Sequence, residues 1–553
     1  MSFKKDLTKF KPRKEQREAL EFIDSEYKSN TLNKFFLLNL PVGTGKSHLA
    51  LMIADWYRKN VNRASRIDII TNSKILQDQY SNTYESIADL KGKGNYECSS
   101  YSCSCEQGGE FNRLNKTSCD DCPYSYARDS FINSGISLTN FHLYILYSIY
   151  NPKIMENRGS KVLIVDECHE FDDVMSNFIS IKITETIVKK YKFPNEYQLL
   201  KSLKYVKNIT QYVDFLNTLQ GEIINTIESM ESGMSNIARS IKQDKRDLKI
   251  SKLLKSKNSD VKLMQLITSL KQYQLKIDVF LKEYKENPSN WVLETSFNEK
   301  SKQKELSLEP IWAYDYLDKY IFSNYDMVFL MSGTILNKSL FCNLNGLDVS
   351  KAVYYSIESP FNVKNRPIYY MPLGKMSYKN KEETFKKYVP YIKKLLQKYK
   401  GKKGIIHTNS FELAKWIEEK VKDPRLVFHD SSNKDDILRL HKSSDEPTVI
   451  VSPSLGTGVS FDNDDARFQI IAKVPYPSLA SQKNKLRQKN NPGWYSWKTS
   501  CSLQQTCGRI VRSGLDYGDT IIIDGSFSDV IKYSSNFLPQ WFQDSIKKIN
   551  VKI

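Results

Sequence analysis

Short unbroken apolar runs alternate with amphipathic stretches along the first part of the chain. Phe35–Leu40, Ile67–Thr71 and Val162–Val165 read as strands buried on both faces, while Ser47–Arg58 reads as a helix. This alternation predicts a parallel α/β sheet. From Leu199 the period changes. Apolar residues recur every three or four positions from Leu199 to Met230, and again from Leu263 to Tyr284. That spacing predicts two long helices packed as an antiparallel pair and standing off the sheet domain. The lysine-rich span Ser240–Ser259 between them is mostly too polar to be core. Asp326–Thr334 returns to a buried strand, and Gly404–His407, Thr448–Val451, Gln469–Ala472 and Thr520–Ile523 outline a second α/β unit. The expected fold class is α/β, two parallel-sheet domains with a cleft between them.

Chemistry concentrates at the ends of these strands. Leu40-Pro-Val-Gly43-Thr44-Gly45-Lys46-Ser47 follows the first strand and opens a helix. Backbone N–H groups around Gly43 and Gly45 can wrap a phosphate, Lys46 adds a point charge, and the Ser47 hydroxyl can sit on magnesium. Leu40 stands where the full pattern has glycine. Asp166-Glu167-Cys168-His169 closes a later strand, placing Asp166 to orient magnesium and Glu167 to polarise water. Together the two segments imply hydrolysis of a nucleoside triphosphate. Gln505-Thr-Cys-Gly508-Arg509-Ile-Val-Arg512 offers the positive charge a cleft enzyme needs. On a helix Gln505, Arg509 and Arg512 would share one face, with Gly508 admitting the opposing surface. The glycine-rich Ser454–Asp462 segment reads as a loop able to couple a nucleic acid to the phosphate site.

At 553 residues the chain has room for three or four domains. Its net charge of +19 points to a polyanionic partner, nucleic acid first and a membrane surface second. No apolar run approaches the ~20 residues that span a bilayer, and the first residues lack an apolar signal core. The expected setting is therefore soluble and intracellular, as in the cytoplasm of a prokaryote or a virus-infected cell. Five of nine cysteines fall between Cys98 and Cys122. In a reducing compartment such a knot is a metal or iron–sulfur site rather than a set of disulfides. Cys119 and Cys122 have the two-residue gap that lets both sulfurs face one centre, and Cys98, Cys103 and Cys105 offer the remaining ligands. Spacing leaves zinc and iron–sulfur open.

In this order the segments resemble the XPD/DinG family of superfamily 2 iron–sulfur DNA helicases. The cysteine knot precedes the Asp-Glu-x-His box, and a helical stretch separates that box from a Ser-x-Thr segment. Lys93–Cys98, Cys122-Pro-Tyr124, Thr139–Leu143, Ser359-Pro-Phe361 and Gln505–Arg512 also match in style and position. The resemblance implies two RecA-like motor domains. The first is assembled from 1–90, 126–185 and 301–336, with an iron–sulfur insertion at 91–125 and a helical arch at 186–300. The second spans 337–553. It further implies ATP, Mg2+ and a 4Fe-4S cluster held by Cys98, Cys119, Cys122 and Cys105, with Cys103 as the alternative. Lys46, Ser47, Asp166, Glu167, Gln505, Arg509 and Arg512 carry over to ATP binding and hydrolysis. Arg13 and Gln16 take the place of an adenine-side glutamine motif, and Thr71 and Gln77 fall in a DNA-contacting segment. The implied activity is 5′→3′ translocation by a monomeric motor on single-stranded DNA and unwinding of forked DNA. Cys168 replaces the usual alanine of the box, and Ser460 stands where many relatives have aspartate. An RNA helicase, and a cluster- or zinc-stabilised nucleic-acid-binding protein with weak ATPase, are the competing readings.

Overall fold

Five-residue apolar runs without alternation have to be covered on both faces, and the chain buries them so. A computed structural model describes residues 11–549 apart from 85–86, 101–102, 116–117, 120, 244–249, 299–302, 377–379, 431, 457–458 and 460. Helix α1 (Lys14–Ser29) leads into β1 (Phe35–Asn39), α2 (Lys46–Asn60), β2 (Ile67–Thr71) and α3 (Lys74–Thr83). After the short β3 (Ala88–Asp89), the cysteine segment carries α4 (Cys105–Asn115) and α5 (Pro123–Asn133). These helices pack around a small apolar cluster of Leu90, Cys105, Tyr124, Phe131 and Tyr147. Strands β4 (Ile136–Asn140) and β5 (Val162–Asp166) follow, then α6 (Phe171–Ile179).

The helical insertion follows β6 (Ile181–Thr184) with a short helix, Glu185–Tyr191, and then α7 (Glu196–Tyr205), α8 (Ile209–Gln243) and α9 (Ile250–Glu286). Periodicity predicted one helix from Leu199 to Met230; the structure breaks it at 206–208. Asn208 accepts from Gln211 N at 2.9 Å while Gln211 accepts from Lys207 N at 2.8 Å, so these polar side chains start a new helix. The expected antiparallel pair is present as α8 and α9, with 244–249 outside the described residues. It does not stand clear of the sheet. Leu216, Ile223, Ile277 and Phe280 belong to the same apolar cluster as Leu37, Val165 and Leu330. At its root, β6 pairs antiparallel with β8 (Gln303–Pro310), which pairs with β7 (Trp291–Asn298), a small sheet the sequence reading did not anticipate.

Strands β9 (Met327–Ser332) and β10 (Ala352–Ser356) return to the first sheet, whose order is β10-β1-β9-β5-β2-β4-β3 with every pair parallel. The first sheet therefore extends to Ser356, past the expected boundary at 336. Half-buried tyrosines at 354 and 355 hide β10 from a search for fully apolar runs. The second sheet comprises β11 (Ile368–Gly374), β12 (Gly404–His407), β13 (Leu426–Phe428), β14 (Val449–Ser452), β15 (Phe468–Ile471), β16 (Asp519–Asp524) and β17 (Ile546–Lys548), with α10 (Lys381–Lys398) between β11 and β12. Its order is β13-β14-β12-β15-β16-β11-β17, again parallel. Between β15 and β16, α11 (Gln482–Asn490) and α12 (Pro492–Cys507) form a helical pair. Among the described residues no helix is long and apolar enough to cross a membrane.

A buried ion pair ties the far edge of the first sheet together. Arg158 is 0% exposed and Asp68 1%. Arg158 Nε donates to Asp68 Oδ1 at 2.9 Å, and Ser137, Ser160 and Tyr325 hydroxyls donate to the same carboxylate at 2.7 to 2.8 Å. Arg158→Met would leave that carboxylate buried without its cation, a loss of about 3–5 kcal/mol. The expected result is an earlier first transition in urea, with Asp68→Asn in the same chain restoring part of it. An unchanged midpoint for Arg158→Met would show that the pair contributes nothing.

Candidate nucleotide site between the two sheets

The register of the first sheet decides what faces the cleft. Asn39 of β1 lies opposite Ser332 of β9, and Asp166 of β5 opposite Met331. Three strand ends thus emerge side by side at the carboxyl edge, where open parallel sheets place ligands. The loop after β1 passes through left-handed backbone at Gly43 (φ 91°) and Gly45 (φ 76°), and α2 begins at Lys46. Its free N–H groups face the loop. Leu40, at the position of the missing glycine, is buried with its amide on Ser332 O at 2.7 Å, so it extends the strand. Helix α1 braces the loop. Gln16 Nε2 donates to Gly45 O at 3.1 Å, Gln16 Oε1 accepts from Arg13 N at 2.9 Å, and the Arg13 guanidinium reaches Gly43 O. Thr44 is buried, its hydroxyl donating to Pro41 O at 2.9 Å.

Two carboxylates share the end of β5 with one lysine. Lys46 Nζ lies 3.3 Å from Glu167 Oε1, and Glu167 takes left-handed backbone at φ 58°. Burial pushes the Glu167 carboxyl up, but the charges of Lys46 and His169 outweigh it and hold the group below its ordinary value. Asp166 is buried; burial and then the charge of Glu167 raise its carboxyl to about 6. Its Oδ2 accepts from Tyr80 OH at 3.0 Å, and Tyr80 also bonds Ser47. Asp166 Oδ1 has no hydrogen-bond partner among the described residues. A buried carboxylate oxygen without a partner is costly, and a divalent cation would satisfy it. Ser47 and Asp166 therefore fit magnesium.

Across the cleft the expected arrangement needs correcting. Helix α12 ends at Cys507 and Gly508 caps it, so Arg509 and Arg512 lie in the following turn rather than on a helical face with Gln505. Packing explains the break: Cys507 belongs to a cluster with Ile368 and Ile522, whereas Ile510 and Val511 belong to another with Phe361, Ile405 and Phe461. The chain has to turn to reach both. A Cβ on Gly508 would sit 3.8 Å from Val42 Cγ2, so the phosphate loop does approach there. Arg509 Nε donates to Gly456 O at 3.0 Å and its guanidinium also holds Val459 O. Burial, then the charge of Arg512, lowers Arg509 to about 10, while Glu167 and Glu170 pull the other way. Arg512 Nε lies 4.0 Å from Asp462 Oδ1; burial lowers this guanidinium too, against the charges of Asp462 and Glu167. Within the Ser454–Asp462 loop, Thr457, Gly458 and Ser460 lie outside the described residues.

Gln505 bridges the lobes. Its amide pairs with His169 Nε2 and donates to Thr334 Oγ1 at 3.4 Å, while His169 Nδ1 lies 2.8 Å from Ser332 Oγ. His169, Ser332, Thr334 and Tyr80 were not among the expected site residues. His169, Ser332 and Thr334 sat inside quoted motifs, but nothing in the sequence marked Tyr80. Thr71 and Gln77 are fully buried and bonded within the first lobe, Gln77 Nε2 to Leu90 O at 2.9 Å.

The five clustered thiols meet largely in two pairs. Cys98 Sγ and Cys119 Sγ are 3.8 Å apart, and Cys105 bonds Cys122. Cys103, whose carbonyl accepts from Cys98 N at 2.8 Å, also bonds the Cys98 thiol. Hydrogen bonds from Ser100 and Asn112 hold Cys119 below the ordinary thiol value. At Cys122 burial pushes upward, but the bonds from Ser125 win. Burial raises Cys103 and Cys105. Among the described residues no group of three or more such side chains is arranged around a single metal ion. The donors themselves are soft thiols, which suit zinc or an iron–sulfur group.

Comparison with known proteins bears on both halves. Residues 392–545 match the family model "Helicase C-terminal domain", and residues 9–201 match "Type III restriction enzyme, res subunit". A Fanconi anemia group J protein homolog from Gallus gallus is 23% identical over 175 residues, 28% of this chain and 14% of that protein. The chain thus covers a small part of the length of that relative. An XPD helicase structure is 14% identical, covers 98% of this chain and 100% of its own, and has a TM-score of 0.62. The S. tokodaii Xpd4 structure is 13% identical, with 97% and 100% coverage and a TM-score of 0.59. These structures share the fold, including two RecA-like parallel-sheet domains.

Contact at the phosphate loop supplies a direct test of its conformation. A Cβ on Gly43 would lie 2.1 Å from Phe361 Cζ, on backbone that L-residues avoid. Gly43→Ala should therefore cost about 2 kcal/mol in chemical denaturation, and Phe361→Ala in the same chain should recover part of that cost. Strict additivity of the two substitutions would show that the loop and Phe361 do not touch.

Proposed function

We propose that this chain, which belongs to the XPD/DinG type of superfamily 2 helicases, is a DNA-dependent ATPase that translocates on single-stranded DNA and unwinds forked duplex. The observation that carries the reading is the cleft itself. Lys46 faces Glu167 across 3.3 Å, Asp166 keeps an oxygen without a partner among the described residues, and two half-buried arginines stand opposite. The loop amides and Lys46 would hold the β- and γ-phosphates of ATP, with Gln16 and Arg13 at the loop's back. Ser47 and Asp166 would hold Mg2+, which neutralises phosphate charge when bound. Glu167, kept ionised by Lys46 and His169, would orient the attacking water. Arg509 and Arg512 would stabilise charge on the transferring phosphoryl group. For that, Arg509 has to leave Gly456 and Val459, so closure of the cleft and release of that loop are one event.

The net charge of +19 suits a phosphate-lined groove for the strand. Movement 5′→3′ and action as a monomer rest on the family resemblance. Cys98, Cys119 and Cys122, with Cys105 in preference to Cys103, would hold a 4Fe-4S cluster; its role there is to brace the segment structurally. Both candidates touch another proposed ligand, Cys105 meeting Cys122 and Cys103 meeting Cys98, so the preference for Cys105 rests on the family resemblance.

Lys46→Ala should abolish DNA-stimulated ATP hydrolysis while leaving strand binding within about twofold; undiminished turnover would remove the proposed site. For the cluster, protein purified without oxygen should contain about four irons per chain and absorb in the visible. Cys122→Ser should lose both the iron and the colour. Stoichiometric zinc in colourless protein would replace the iron–sulfur assignment.

A further inference from the structure

A group of polar contacts between the lobes lies away from the phosphate loop, around α11. Glu294, on β7 at the root of the helical insertion, points its carboxylate at the N-terminus of that helix. One oxygen accepts from the backbone N of Lys483 and from Ser481 Oγ, both at 2.7 Å. A carboxylate here satisfies an amide the helix leaves free and complements its dipole. The rest of α11 is fastened to the first lobe as well. Lys483 Nζ bonds Ser176 and lies 3.6 Å from Glu309. Arg487 pairs with Asp172 at 3.2 Å and is held between the Trp312 and Trp494 rings at 5.0 and 5.5 Å.

Helix α12 packs against α11 and inherits this placement. Lys498 Nζ reaches Asp173 at 2.6 Å, and a cavity of about 300 Å³ is lined by both Ser481 and Ser502. Ser481, which Glu294 holds, thus lines the same cavity as Ser502 of α12, and Gln505 lies one turn beyond Ser502. On its other side α12 reads the end of β9: Trp497 Nε1 donates to Ile335 O at 2.9 Å and Gln504 Nε2 to Gly333 O at 2.8 Å.

We infer that Glu294 is a positioning residue for the phosphate site: by holding the N-terminus of α11 it fixes the register of α12, and with it the Gln505–His169 contact. The helical insertion is thereby joined to the acidic box by hydrogen bonds at either end, Glu294 to α11 and Gln505 to His169, with the packing of α11 on α12 between them. The inference rests on the hydrolytic reading above, so one of its readouts needs no ATP.

Glu294→Ala and Glu294→Gln in the full chain separate the outcomes. Hydrogen–deuterium exchange of the ligand-free protein should show faster exchange over 497–507 in Glu294→Ala, and near wild-type exchange in Glu294→Gln, whose amide oxygen can still accept both bonds. In DNA-stimulated hydrolysis, Glu294→Ala should lower kcat about tenfold with KM for ATP within about twofold, and Glu294→Gln should recover most of the loss. Unchanged exchange over 497–507 in Glu294→Ala overturns the inference whether or not the wild type hydrolyses ATP. So does a loss of kcat that Glu294→Gln fails to rescue. A wild type that exchanges as expected but turns over no ATP overturns the hydrolytic reading, and the proposed link to catalysis with it.

Discussion

Helix α12 is buried in two cores at once. Trp494, Trp497 and Cys501 belong to the apolar cluster of the first sheet and the helical insertion, while Leu503 and Cys507 belong to that of the second sheet. Two parallel-sheet lobes connected only by a linker would be free to separate, since interfaces within a chain are ordinarily modest. Here the lobes share an element, and the apolar surface it buries on either side resists separation. Relative motion is then confined to what α12 permits. The residues that must respond to a phosphate, Gln505 before its end and Arg509 after it, sit at the point where the helix stops.

Electrostatics at the box fit this arrangement. Asp166 is buried and its neighbour Glu167 half-buried, and a single lysine cannot compensate both. Lys46 sits against Glu167, which is held ionised, and Asp166 is left with a raised pKa and an oxygen without a partner among the described residues. The ligand-free site is therefore short of positive charge on one side of the cleft. On the other side Arg509 and Arg512 are half-buried close together, each lowered first by partial burial, with only Asp462 as a near anionic partner among the described residues, at 4.0 Å from Arg512. A metal-bound polyphosphate is the ligand that would satisfy both deficits. Until it arrives, backbone carbonyls of Gly456 and Val459 hold Arg509 in place.

Much of this was legible in the chain because fully buried strands leave a plain signature. Phe35–Asn39, Val162–Asp166 and Gly404–His407 appear where continuous apolar runs placed them, and with them the phosphate loop and the box. Strands whose faces differ were not legible. Ala352–Ser356 and Gln303–Pro310 mix tyrosine, serine and charge, because one side of each meets solvent or a polar neighbour. The break at 206–208 depends on two side-chain caps that apolar periodicity does not register. The arginines after α12 were given the right side of the cleft but the wrong backbone, since i, i+4, i+7 spacing says nothing of where a helix must stop to serve two cores. Tyr80 illustrates a further limit: its partner Asp166 is 86 residues away, and only the fold brings them together.

The two insertions in the first lobe solve different problems. The helical one brings its own apolar faces, and Leu216, Ile223, Ile277 and Phe280 merge with the core beneath the sheet, so packing alone can hold it. Among the described residues, the buried apolar cluster at the cysteine segment has five members, of which only Cys105 and Tyr124 come from 91–125. A cluster that small cannot offset the ordering of some thirty residues. Stapling by a bound inorganic group is the usual remedy for so small a core. Two thiols poised low by hydrogen bonds, Cys119 and Cys122, stand beside others kept protonated by burial. Metal loading would draw those remaining protons off, so binding of the group and ordering of the segment become one equilibrium. Anchored through Tyr124 and Tyr147 against the α/β frame, that segment would then present a rigid edge without adding apolar surface to the lobe that carries it.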